Sequence, residues 1–174
     1  GRGEENEIEN STILPDFIVW YADKEVKFSI NKQYKRNLSV NTDGIRLLAE
    51  LEKKEPRDEE TIQFLKEKIN QANLFIEAFK KRENTLEIIM KAIINLQYDY
   101  FVAGEKSKFK PLKYKDIKQI TGFTESTISR MVNKKYAQTH FGTFKLKEFF
   151  SYTLINADGQ EVSSTAVREH LFEI

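Results

Sequence analysis

"TGFTESTISRMVNKKY" (residues 121–136) combines a turn, a helix cap and a run of basic residues. Gly122 sits in a short polar turn, Thr124 stands where a hydroxyl can accept a hydrogen bond from the first turn of a helix, and Glu125 to Asn133 follow as that helix. Immediately upstream, "LKYKDIKQI" (residues 112–120) carries Leu112, Ile117 and Ile120 at spacings that place them on one face of a preceding helix. Helix, tight turn at Thr121-Gly122-Phe123, helix is the signature of a helix-turn-helix. The pattern alone leaves two readings open, a capped surface helix or a DNA reader.

The second helix has two unlike sides. Ile128, Met131 and Val132 face the first helix, and Glu125, Ser126, Ser129, Arg130 and Asn133 face away from it. A short, hydrogen-bonding face of this kind fits the major groove, where Arg130 has the reach for guanine O6 and N7 and Asn133 can pair with adenine. Phosphates are candidates for the helix-start N–H groups with Thr124, the Ser126 hydroxyl and Thr127, and for Lys113, Lys115, Lys134 and Lys135.

Charge is distributed to match. Residues 106–147 hold eleven Lys or Arg against Asp116 and Glu125, a net of +9 in a chain whose total is +1, so the remainder is strongly acidic. A basic segment on a hydrogen-bonding helix points to a polyanion.

Outward from this unit, Pro15 opens "PDFIVWYADKEVKFSIN", which predicts a β-hairpin with strands near Asp16–Tyr21 and Val26–Ile30. The following polar stretch, with Asp43-Gly44 as a turn signal, predicts a loop and a short helix ending at Pro56. From Asp58 the apolar residues Ile62, Leu65, Ile69, Ala72, Ile76 and Phe79 recur at helical spacing, and the rhythm resumes at Leu86, Met90, Ile93 and Tyr100. No Pro or Gly interrupts residues 57–103, which predicts one very long helix closed by Gly104. A coiled-coil arm, or two helices joined at Lys80–Asn84, are the alternatives. Behind the helix-turn-helix, the aromatic segment "KYAQTHFGTFKLKEFFSYTL" predicts an irregular stretch or short hairpin, and Ser163 or Ser164 a capped final helix.

Composition excludes much. With 40 % hydrophobic residues the chain can build a core, and with no cysteine it has neither disulfides nor zinc-finger spacings, which suits a cytoplasmic protein. No apolar run approaches a membrane span of roughly 18 residues, so no membrane partner is expected. There is no glycine-rich phosphate loop and no metal-ligand spacing, His140 and His170 stand alone, and the acidic run Glu55–Glu60 suits a helix start. The chain therefore reads as a non-enzyme needing no cofactor and no metal.

"ESTISR" (Glu125–Arg130), "KYAQT" (Lys135–Thr139) and "GTFKLKEFFS" (Gly142–Ser151), in that order and spacing, resemble the enhancer-dependent sigma-54 family of bacterial RNA polymerase sigma factors. "PDFIVW", Ile30, Asn31 and Tyr34 look like the strand region that ends the family's polymerase-binding part, and "SSTAV" (Ser163–Val167) resembles its link to a last domain. The resemblance implies a factor that binds core RNA polymerase, reads the promoter element near −12 through the helix-turn-helix, and waits for an ATP-dependent enhancer-binding activator. It also implies that a very long helix precedes the helix-turn-helix across the route of DNA entry. His140-Phe141 stands where the family often has Pro-Arg. The family's glutamine-rich N-terminal region and its C-terminal Ala-Arg-Arg-Thr box have no counterpart here, so the chain is expected to be a fragment. The rival class is a protein-interaction scaffold with a merely structural helix-turn-helix.

The expected architecture is mainly α. It comprises an edge or tag remnant at 1–14, a hairpin region at 15–56, an extra-long helix at 57–103, a helix-turn-helix domain with its aromatic segment at 104–160, and a linker helix from 161 to 174.

Overall fold

The computed structural model describes residues 13–31 and 38–150. The chain divides into two compact units, one drawn from Arg36–Leu86 and the other from Gly1–Lys35 together with Glu87–Ile174. The expected final helix at Ser163–Ser164 and the motif residues Tyr34 and Ser163–Val167 lie outside the described residues.

In the first unit, α1 (Thr42–Lys53) begins where the Asn41 side chain accepts a hydrogen bond from the Asp43 N–H at 3.0 Å. Asp43 and Gly44, expected as a turn, therefore form the first helical turn. The asparagine ahead of them supplies the cap and Asp43 suits the positive end of the helix dipole. The helix α2 (Glu59–Leu96) starts at Asp58, whose carboxylate accepts from the Thr61 N–H at 3.1 Å and the Thr61 hydroxyl at 2.7 Å. Those bonds hold the Asp58 carboxyl below its usual range. Lys66 meets Glu52 at 2.8 Å between α1 and α2 and likewise lowers the Glu52 pKa.

At 38 residues, α2 is about 57 Å long and runs unbroken through Lys80–Asn84, so one long helix is realised. It does not reach Ala103 as one rod. Gln97 leaves helical geometry at φ −111°, ψ 23°, and a short helix α3 (Tyr98–Ala103) follows. The cause is the Gln97 side chain, which is 1 % exposed. Its amide donates to the Lys110 carbonyl and accepts from the Lys110 N–H (3.1 Å), pairing as a second backbone would. Gly104 then closes α3 with φ 68°, and its N–H bonds the Tyr100 carbonyl at 2.8 Å, the expected C-cap. A Cβ on Gly104 would lie 2.9 Å from the Phe141 ring, so glycine is required there for space as well as for φ.

The second unit is built on a four-stranded sheet of order β2-β1-β3-β4. The strands β1 (Phe17–Ala22) and β2 (Glu25–Ile30) form the expected hairpin, turning at Asp23-Lys24 with φ positive at both residues. Tyr98 braces that turn by donating to the Lys24 carbonyl at 2.9 Å. The strands β3 (Tyr136–Thr139) and β4 (Gly142–Lys145) make a second hairpin, so the aromatic segment is not irregular. The two hairpins join through parallel pairing of Phe17 with Ala137 and Ile18 with Gln138. Asp16 sets that register. Its backbone N–H bonds the Tyr136 carbonyl at 2.9 Å, its carboxylate accepts from the Tyr136 N–H at 2.9 Å, and its carbonyl accepts from the Asn31 N–H at 2.8 Å.

Beneath the sheet lies an aromatic core centred on Tyr100, which is fully buried. The rings of Phe141, Phe109, Phe144 and Phe149 stand at 5.0, 5.4, 6.3 and 6.3 Å from it, all edge-on. Ile89, Met90 and Ile93 of α2 add the aliphatic part. The Tyr100 hydroxyl has no hydrogen-bond partner among the described residues, and burial pushes its pKa well above the phenol range.

Two outcomes follow for stability. Gln97→Ala is expected to cost about 2 to 4 kcal/mol in chemical denaturation, because it opens a cavity and strips both polar groups of Lys110 of their partner. Tyr100→Phe removes an unsatisfied hydroxyl and is expected to stabilise by about 1 kcal/mol. The raised phenol pKa gives a pH signature: stability is intact below about pH 10 and falls above it as the unfolded tyrosine ionises first. In Tyr100→Phe that part of the alkaline loss disappears.

Candidate nucleic-acid interface

The helix-turn-helix forms from local signals. The Asp116 carboxylate accepts from the Lys113 N–H at 2.9 Å and starts α4 (Tyr114–Thr121), and Gly122 ends it with φ 76°. Thr121 bonds the Ile117 carbonyl (2.8 Å) and accepts from the Phe123 N–H (3.3 Å), which shapes the turn. Thr124 caps α5 (Glu125–Val132), its hydroxyl oxygen accepting from the Thr127 N–H at 3.2 Å. From behind, Tyr114 stacks on Phe150 at 4.5 Å, and the Leu112 N–H bonds the Phe149 carbonyl at 2.9 Å.

Packing sorts the residues of α5 as the sequence predicted, with one shading. Ile128 and Val132 are fully buried and Met131 is half-buried. Ile120 departs from expectation. It is 53 % exposed, while Ile117 is fully buried. With about 100° per residue, Ile117 and Thr121 point inward on this two-turn helix, and Ile120 is left on its flank.

Of the expected base-reading residues, Glu125, Ser126, Arg130 and Asn133 are exposed and Ser129 is half-exposed. Ser126, Ser129, Arg130 and Asn133 recur at three- and four-residue steps, so they lie on one face, with Asn133 at the C-cap rather than within the helix. Among the described residues Arg130 has no ion-pair partner. Its Nε donates to the Ser126 carbonyl at 3.3 Å, laying the side chain along its own helix and leaving the two terminal nitrogens free. A planar fork held this way is what bidentate contact with guanine or phosphate requires.

The expected phosphate ligands divide into free and committed groups. Lys113, Lys115 and Lys134 are exposed and have no ion-pair partner among the described residues. Lys135 is half-exposed and its Nζ stands 3.7 Å from Asp16 Oδ1, so its charge is partly neutralised by the strand beside it. Thr124 donates to Thr127 at 2.8 Å and lies 3.2 Å from the Ser126 hydroxyl. Its donor is spent within the cap, and Thr127 keeps its own proton for another acceptor. Sequence reasoning could not see these commitments, because Asp16 is remote in the chain and hydroxyl pairing depends on rotamers.

Among the described residues there is no group of three or more His, Asp or Glu side chains that could hold a metal ion, and no helix long and apolar enough to cross a membrane. His140 is exposed at the tip of the β3–β4 hairpin, edge-on to Phe141 at 4.8 Å.

Comparison with known proteins agrees with this picture. The RNA polymerase sigma-54 factor of Shewanella violacea is 32 % identical over 156 residues, covering 90 % of this chain and 30 % of its own length. That of Azotobacter vinelandii is 38 % identical over 105 residues, 60 % of this chain and 21 % of its own length. The chain thus spans less than a third of these curated relatives. A crystal structure of Aquifex aeolicus sigmaN bound to promoter DNA shares the fold, with a TM-score of 0.61 at 23 % identity over 92 % of this chain and 46 % of that one. The family model described as "Sigma-54, DNA binding domain" matches residues 62–174. With well over half of its length inside that match, the chain belongs to the sigma-54 DNA-binding domain family.

Proposed function

We propose that this chain is the part of an enhancer-dependent sigma factor that reads promoter DNA, with α5 entering the major groove at the element near −12. The observation that carries the reading is the exposed face of α5. Ser126, Ser129 and Asn133 stand at helical spacing around Arg130, which has no ion-pair partner among the described residues, on a helix whose opposite side is sealed by Ile128 and Val132. The solved relative described as bound to promoter DNA and the sigma-54 names of the curated relatives support it.

In this reading the side chains divide their labour. Arg130 grips guanine, Asn133 pairs with adenine, and Ser126, Ser129 and Glu125 complete base contact. Lys113, Lys115 and Lys134, with Thr127 and the α5 amides, fix the phosphate backbone, and Thr124 serves by holding the helix start. Lys135 joins them when a phosphate competes with Asp16. The whole factor, working in the cytoplasm, takes core RNA polymerase to promoters and answers an ATP-dependent activator. The segment itself performs no chemistry and needs no cofactor.

Arg130→Ala is expected to weaken binding to a promoter duplex by about 1 to 3 kcal/mol and to relax base preference at one position. Lys134→Ala is expected to weaken promoter and scrambled duplexes alike and to flatten the salt dependence by about one unit of slope. Fluorescence anisotropy at two salt concentrations separates the two. Equal behaviour of the two variants on both duplexes would refute base reading by α5.

A further inference from the structure

We infer that the β4 strand and the 3-10 turn after it carry a second set of phosphate contacts, through Lys145 and Lys147, which extends the duplex-binding surface beyond the helix-turn-helix. The inference rests on the proposed DNA-reading role of α5, and it assigns residues outside that helix pair.

Three backbone links bring distant lysines together. The Leu146 N–H bonds the Lys135 carbonyl at 2.8 Å, which sets Lys145 and Lys147 beside the exit of α5 at Lys134-Lys135. Cα pairing places Lys145 directly opposite Tyr136, the residue after Lys135. The Leu112 N–H bonds the Phe149 carbonyl at 2.9 Å, which ties Lys113 at the start of α4 to the same 3-10 turn, Leu146–Phe150. These links bring the three backbone segments that carry the lysines side by side.

Burial separates the inward side chains from the solvent-facing lysines. Phe144, Leu146 and Phe149 are fully buried, and the alternating Lys145 and Lys147 are exposed. Charge pairing then decides which cations are available. Lys135 has Asp16 at 3.7 Å, Lys110 has Asp99 at 3.8 Å and Lys27 has Asp23 at 2.6 Å. Among the described residues Lys145 and Lys147 have no ion-pair partner, and neither do Lys113 and Lys134. Of the acids near the patch, Asp116 spends its carboxylate on the α4 cap, Glu125 lies at the far end of α5, and Glu148 of the 3-10 turn is half-buried with its Oε2 inside. Unpaired lysines gathered beside a groove-reading helix match the spaced phosphates of a duplex backbone, each contact releasing a counterion.

The test uses the full chain with two duplexes of about 20 base pairs, one promoter and one scrambled. The double variant Lys145→Gln/Lys147→Gln is expected to lower affinity for both duplexes by roughly 10- to 60-fold at about 0.1 M salt and to reduce the slope of log K against log salt by about two. Lys91→Gln, an exposed lysine on α2, is the control for net charge and is expected to leave the slope within about half a unit of the parent. Circular dichroism of each variant confirms folding. If the double variant keeps the parent's slope, or if Lys91→Gln changes it by as much per charge, the inference is overturned. The arms separate it from the base-reading proposal. Loss of preference in Arg130→Ala with no effect of the lysine pair sinks only the inference, and the converse sinks only base reading.

Discussion

The second unit depends on one constraint, the need to bury Tyr100 among phenylalanines contributed by three separate stretches of chain. Phe109 comes from the linker after α3, Phe141 and Phe144 from the β3–β4 hairpin, and Phe149 from the 3-10 turn behind it. For these rings to meet edge-on, the long helix must break before Tyr100 and the chain must reverse at Gly104. Gln97 makes the break by pairing its amide with Lys110, and Gly104 makes the reversal with a backbone angle and a clearance that a side chain would spoil. The rings then hold the hairpin, and the segment behind the hairpin holds α4 and α5. The cluster retains an orphan hydroxyl at its centre, and on physical grounds a phenylalanine would serve packing better there.

Much of the interface was legible in the sequence because its signals are local. Thr124, Gly122 and the Ile128/Val132 spacing specify a cap, a turn and a buried side within a dozen residues, and the structure realises each. What escaped is set by partners far along the chain. Nothing near Gln97, a good helix former, announces that Lys110 will capture its side chain. Nothing near Tyr136 announces that Asp16, 120 residues earlier, will pair with it and draw in Lys135. Asp43-Gly44 misled for the opposite reason: a turn dipeptide also makes a good first helical turn once Asn41 caps it. Ile120 was assigned inward by spacing alone, on a helix too short to bury a flank.

The motif that resembles the strand region of the family acquires a physical meaning here. Pro15, Asp16 and Asn31 do not bear on DNA chemistry by themselves. The Asn31 amide bonds the Pro15 carbonyl at 3.0 Å and its N–H bonds Asp16, and Asp16 in turn clamps the residue where α5 gives way to β3. The N-terminal hairpin therefore fixes the exit of α5, and it sets the Asp16 carboxylate 3.7 Å from Lys135. A rigid element behind a recognition helix is what precise base contact demands.

Base reading by the exposed face of α5 through Arg130 can be measured in a double-mutant cycle. Arg130→Ala is combined with 7-deazaguanine, which lacks the N7 acceptor, at each guanine of a promoter duplex in turn, and binding is measured for all four combinations. The account predicts a coupling of about 1 to 3 kcal/mol at one guanine and none at the others. Coupling absent at every guanine, with Arg130→Ala still weakening binding, would make Arg130 a phosphate ligand and contradict the account.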